Sequence, residues 1–143
     1  MQETLPEPIM DFELFLVSKG MDCQRREGPD SAVFGNRLLQ FGNERVGVRL
    51  VLDRSAWTVQ VSDAIGHPQE WYDGALLCSF LLGTEKEAIL VAEQVACLKA
   101  NWSTILSCFD PTQREDTHSR LSLLRKERAK RLFPGLYNKT EPS

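Results

Sequence analysis

The sequence predicts an α+β fold on three observations: two period-two apolar runs at 44–53 and 57–63, an apolar stripe at helical spacing between 88 and 109, and strand-like segments grouped ahead of helix-like ones. Strands alternating with helices would point instead to a doubly wound α/β sheet. The expected architecture is an N-terminal helix, an antiparallel sheet of about four strands, and three C-terminal helices with a long core helix near 85–109.

The first helix is expected over 11–20, where Phe12, Phe15 and Leu16 share a face and Gly20 supplies the residue type that most readily closes a helix in the left-handed conformation. From Met21 to Asn43, turn signals (GPDS at 28–31, GN at 35–36 and 42–43) separate short runs such as AVF and RLLQF, the pattern of strands joined by tight turns. In ERVGVRLVLD, Val46, Val48, Leu50 and Leu52 fall on one face and Gly47, Arg49, Val51 and Asp53 on the other. After the tight connection RSA, Trp57, Val59 and Val61 alternate with Thr58, Gln60 and Ser62, so the two runs form an antiparallel hairpin.

The period then changes. HPQEWYDGALLCSFLLG holds a proline turn, an aromatic pair and an apolar run closed by Gly83, which gives a short helix over 73–82. Thr84 and Glu87 carry the S/T-x-x-E capping signature, marking a helix start. Ala88, Val91, Val95, Leu98, Trp102, Ile105 and Phe109 then recur in steps of three and four, on one side of that helix. Asp110-Pro111 ends it, and a last helix follows from 112 or 117 to Phe133, stopped by Pro134 and Gly135. Residues 10–134 make one domain, with 1–9 and the tail 135–143 loosely held.

Composition narrows the function classes. With 42% hydrophobic and 26% charged residues, the 143-residue chain is expected to bury one core. Glu3, Glu7 and Asp11 stand where a secretory signal needs a basic start, and GALLCSFLLGT at 74–84 is too short to span a bilayer, so a cytoplasmic protein without a membrane segment is expected. Cys23, Cys78, Cys97 and Cys108 show no C-x-x-C or finger spacing and are expected to be reduced and mostly buried. Residues 1–110 carry 9 basic against 16 acidic side chains, whereas 111–143 carry 8 against 4. Such asymmetry marks either a surface for a charged partner or a basic helix lying on the chain's own acidic body.

Neither a catalytic nor a metal-ligating set is marked. There is no G-x-S-x-G, no glycine-rich phosphate loop to indicate a nucleotide cofactor, and His67 with Glu70 has no second histidine at metal-ligand spacing. The nearest approach to a catalytic group is Cys78 with His67 and Asp73. Two sets stand out as binding candidates. Trp71, Tyr72 and Asp73 form an interface-like cluster, although aromatics there equally pin a helix to a sheet. Arg125, Arg128 and Arg131 belong to the basic stretch RLSLLRKERAKRLF, whose charge suits nucleic acid, but an acidic pI near 5.4 and the lack of interleaved aromatics argue against that partner.

The succession VRLVLDRSAWTVQVSD, EWYDGALLCSFLLG, AEQVACLKANWSTILSCF and a basic last helix resembles a layout found among small uncharacterised bacterial α+β proteins, some similar to immunity proteins that neutralise toxins by binding them. The resemblance spans about 35–133 and rests on positions such as Asp53, Arg54, Trp57, Trp71 and Asp73. It implies a non-catalytic protein-binding role. A second copy of the chain, docked on the 88–109 stripe, stays open as a partner.

Overall fold

The computed structural model of the chain describes residues 5–28, 36–84, 90–133 and 135. Helix α1 (Glu7–Ser18) leads into strands β1 (Asp22–Glu27), β2 (Arg37–Gly42), β3 (Val46–Asp53), β4 (Ala56–Asp63) and β5 (His67–Asp73). Helices α2 (Gly74–Leu82), α3 (Val91–Ala100), α4 (Trp102–Cys108) and α5 (Arg114–Leu132) follow. The strands form one antiparallel sheet in chain order, so the fold is α+β, with five strands rather than about four.

Helix α1 starts at Glu7, four residues before the apolar spacing marks it, because Pro6 and Pro8 suit a first turn and Ile9 extends the buried face of Phe12 and Leu16. Residues 7–9 therefore belong to the folded body. Gly20, at φ +81°, closes the helix: the Gly20 N–H donates to the Val17 carbonyl and the Met21 N–H to the Leu16 carbonyl, both at 3.0 Å, with Met21 and Leu16 buried.

In the β3–β4 hairpin the pairs Val48↔Val61 and Leu50↔Val59 bring fully buried side chains together on the helix-covered face, joined by Leu39 and Phe41 of β2. Arg54 and Ser55 take φ +51° and +70°, the two left-handed positions of a type I′ turn, although neither is a residue type that adopts them readily. The strand absent from the sequence expectation is β5, where a proline turn is predicted. It pairs Tyr72 with Val61 and Trp71 with Ser62, with a register shift between Ser62 and Asp63 that absorbs the His67-Pro68 entry. Strand β1 is exposed along its whole length, so no apolar alternation marks it. The AVF run lies outside the described residues.

The apolar stripe near 85–109 is buried as its periodicity predicts, but two helices carry its described part. Val95, Leu98, Trp102, Ile105 and Phe109 all enter the core. At Asn101 the backbone turns to φ −113°, ψ 21° and the side-chain Nδ2 donates to the Cys97 carbonyl at 2.8 Å, the local competition that interrupts a helix. The backbone bonds from Asn101 N to Cys97 O and from Ile105 N to Asn101 O persist, so the stripe keeps its phase across the break.

The expected helix start at Thr84 falls at the edge of the described residues. The Thr84 N–H bonds back to the Ser79 carbonyl at 3.1 Å, beyond the left-handed Gly83 that closes α2, and its capping partner Glu87 lies outside the described residues. The described helix begins at Val91, where Glu93 Oε1 accepts from the Leu90 N–H at 3.3 Å. Among the described residues no helix is long and apolar enough to cross a membrane. The tail 136–143 lies outside them.

Candidate functional site

Strand β5 presents alternate side chains to the two faces of the sheet, and the two faces have different chemistry. Tyr72 points to the helices, fully buried, 6.5 Å from Phe109 between ring centres, with its hydroxyl hydrogen-bonded to His118 Nδ1 of α5. Burial, reinforced by Glu70, pushes the Tyr72 phenol up to about 12. The phenol is therefore neutral across the physiological range.

Asp73, the last residue of β5, caps α2 by accepting from the Leu76 N–H at 2.8 Å. Its two oxygens also take a bidentate pair from Arg128, at 3.1 and 2.6 Å. Burial works against its charge, but the hydrogen bonds from Arg128 and the Leu76 N–H prevail and hold the carboxyl below the usual carboxylate range. One turn earlier on α5, Arg125 binds Glu70 at 3.1 Å and the Trp71 carbonyl at 3.0 Å, and its guanidinium lies 5.0 Å from the centre of the Tyr72 ring. Further along, His67 and His118 stack at 3.8 Å and 7°, and His67 Nε2 lies 3.0 Å from Glu115.

The two predicted sets thus meet. Trp71, Tyr72 and Asp73 on β5 lie against Arg125 and Arg128 on α5, and the charges of both arginines are engaged within the chain. Arg131 stands apart and exposed, beside a hollow of about 220 Å³ lined by Leu76, Phe80 and Leu124. The Cys78 thiol is buried, donates to the Gln94 carbonyl at 3.9 Å and is pushed far up by burial and by Cys97, the opposite of an activated nucleophile. His67 is engaged elsewhere, with Glu115 and His118. Among the described residues no group of three His, Cys, Asp or Glu side chains is placed to hold a metal ion.

The other face of the sheet carries none of the described helices, and there Trp71 has different company. Its indole lies back over Ser62 toward Gly47, where an added Cβ would stand 2.9 Å from Ser62 Oγ and 3.2 Å from the Trp71 ring. The guanidinium of Arg49 stacks on that ring, 4.0 Å from its centre. Register places Arg25, Gln40, Arg49 and Gln60 in one row across four strands. Burial, with the charge of Arg25, lowers the Arg49 pKa from the usual arginine value. A hollow of about 470 Å³ opens beside this row, lined by Glu27, Arg37, Leu38, Arg49, Val51 and Gln60 among others.

Two polar atoms of the row, Arg49 Nε and Gln60 Oε1, are buried without a hydrogen-bond partner among the described residues. Each such atom costs on the order of 1–3 kcal/mol. Sequence reasoning missed Arg49. The alternation of 46–53 places it on the face away from Val46 and Val48, but only the register of three strands sets it over Trp71 and beside Gln60. The face thus sets a cation over an aromatic ring, with the Gln60 amide beside it. Comparison with protein-family models, with curated proteins and with solved structures finds no match to the chain.

Proposed function

We propose that the chain is a non-catalytic protein-binding module of immunity type, acting through surface complementarity on the face of its sheet that the described helices leave uncovered. The observation that carries this is the Arg49–Trp71 stack at the centre of that face. Trp and Arg dominate binding hot spots because each combines a large, rigid contact area with directional polar groups. A stack held in place by Gly47 and Ser62 loses little side-chain entropy when a partner covers it. The protein would work in the cytoplasm, a reading supported by cysteines without the spacing of a disulfide framework.

The test is retention of a stoichiometric partner from lysate of the native cell by the immobilised full chain. Retention should be lost with Arg49→Gln and Trp71→Ala and kept with Lys130→Ala on the far side of α5. Failure to recover any stoichiometric protein, or retention indifferent to both open-face variants, would count against the proposal. The alternative partner, nucleic acid, would use Lys126, Lys130 and Arg131, since Arg125 and Arg128 already bind Glu70 and Asp73. Salt-sensitive retention on DNA or RNA that disappears with those three substitutions would favour it.

A further inference from the structure

Among the described residues seven arginines face a carboxylate: Arg25 with Glu27, Arg26 with Glu13, Arg45 with Asp110, Arg114 with Asp63, Arg120 with Asp116, Arg125 with Glu70 and Arg128 with Asp73. Arg49 is half-buried, and among the same residues no carboxylate is paired with it. The Trp71 ring lies against it instead, and its neighbour along the row, Arg25, is a like charge. A half-buried guanidinium costs desolvation energy that an aromatic face offsets only in part. The guanidinium carbon lies 4.0 Å from the centre of the Trp71 ring, and Arg49 also lines the hollow beside Gln60, where its planar fork of donors meets no carboxylate of the described residues.

We infer that the hollow beside Arg49 is a carboxylate-recognition site, and that its occupant is the side-chain carboxylate of a Glu or Asp on the partner protein. This rests on the protein-binding role proposed above. A carboxylate matches the guanidinium edge with two parallel N–H···O bonds. The Gln60 amide, by turning its NH₂ inward, adds a third donor. A nucleic-acid backbone fits less well, because Glu27 and Asp53 balance Arg37 and Arg49 around the same hollow, so its lining offers no excess of positive charge to a run of phosphates. A volume of about 470 Å³ accepts a whole Glu side chain against the apolar wall of Leu38 and Val51.

The experiment follows the Arg49 Nε–H and Trp71 indole N–H signals of the isotope-labelled full chain by NMR during titration. The probes are N-acetylglutamate methylamide, its glutamine analogue, inorganic phosphate and a short single-stranded DNA. The glutamate probe is expected to shift both signals saturably at millimolar concentration, and the glutamine analogue to leave them in place. Arg49→Lys, which keeps the charge but loses the fork, should weaken the response about 10-fold or more, with an unchanged backbone spectrum confirming its fold. Equal shifts with both peptidic probes, no shift with either, or tighter binding of phosphate or DNA overturns the carboxylate assignment. If a protein partner is retained through Trp71 and binds without moving the Arg49 signal, the inference falls while the binding role stands. If the glutamate probe binds but the lysate yields no protein, the binding role falls, and with it the assignment of a protein side chain as occupant.

Discussion

Replacing Asp73 by alanine removes two interactions that meet on one carboxylate. The first is the cap on α2, one hydrogen bond to the Leu76 N–H at 2.8 Å, worth about 1 kcal/mol. The second is the bidentate pair with Arg128, between side chains 37% and 21% exposed, which lies between surface and buried behaviour and is worth about 1 kcal/mol after solvent screening. Asp73→Ala should therefore cost about 2 kcal/mol, and Asp73→Asn, which keeps a capping oxygen, about half of that. Urea unfolding of the two variants beside the native chain measures both, with the slope expected to stay constant.

Because the folded-state pKa of Asp73 is depressed, its charge contributes stability that is present above the unfolded carboxyl pKa and lost as pH falls through the folded value. The gap between the native chain and Asp73→Asn should thus be full at pH 7 and close on acidification. A double-mutant cycle with Arg128→Met isolates the pair. An Asp73→Ala variant within 0.5 kcal/mol of native, or a gap to Asp73→Asn that persists in acid, would falsify the account of β5, α2 and α5 as joined at this residue.

Three further outcomes follow from the structure. Ser55→Gly, at φ +70° in the β3–β4 turn, should raise the urea midpoint by the equivalent of about 1 kcal/mol, whereas no change would mean the turn carries no strain. Gly47→Val should cost about 1–3 kcal/mol and alter Trp71 fluorescence, since even a Cβ there stands 3.2 Å from the indole; unchanged emission would place Trp71 elsewhere. A thiol-reactive probe should label the exposed Cys23 first and Cys78 only on unfolding, while rapid labelling of Cys78 would revive a cysteine-based enzyme.

The parts of the fold legible in the sequence are those with one face buried along their length. Val46 to Leu52 and Trp57 to Val61 announce their hairpin because burial repeats every second residue, and the Val91 to Phe109 stripe survives its break because Asn101 does not shift its phase. The two edge strands are illegible for opposite reasons. Strand β1 buries nothing, and β5 splits its aromatics between faces, Trp71 outward and Tyr72 inward, behind a proline. At the site, residue types on β5 and α5 were visible, but their pairing across 54 or 55 positions depends on α5 lying along β5. The Arg49–Trp71 contact depends on register, which no single strand encodes.

The Arg125 bond to the Trp71 carbonyl also bears on how this sheet can grow. A sheet recruits an added strand through free backbone groups on its outermost strands. On β5 the Trp71 carbonyl is already bound by Arg125, and Pro68 has no N–H to offer. On β1 the register jumps between Cys23 and Arg25, and charged side chains line the strand. With both margins blunted against edge-to-edge pairing, side-by-side polymerisation is disfavoured. The proposed partner would then meet the broad side of the sheet, where contact is made by side chains rather than by backbone groups, so a strand-adding mode of binding is disfavoured as well.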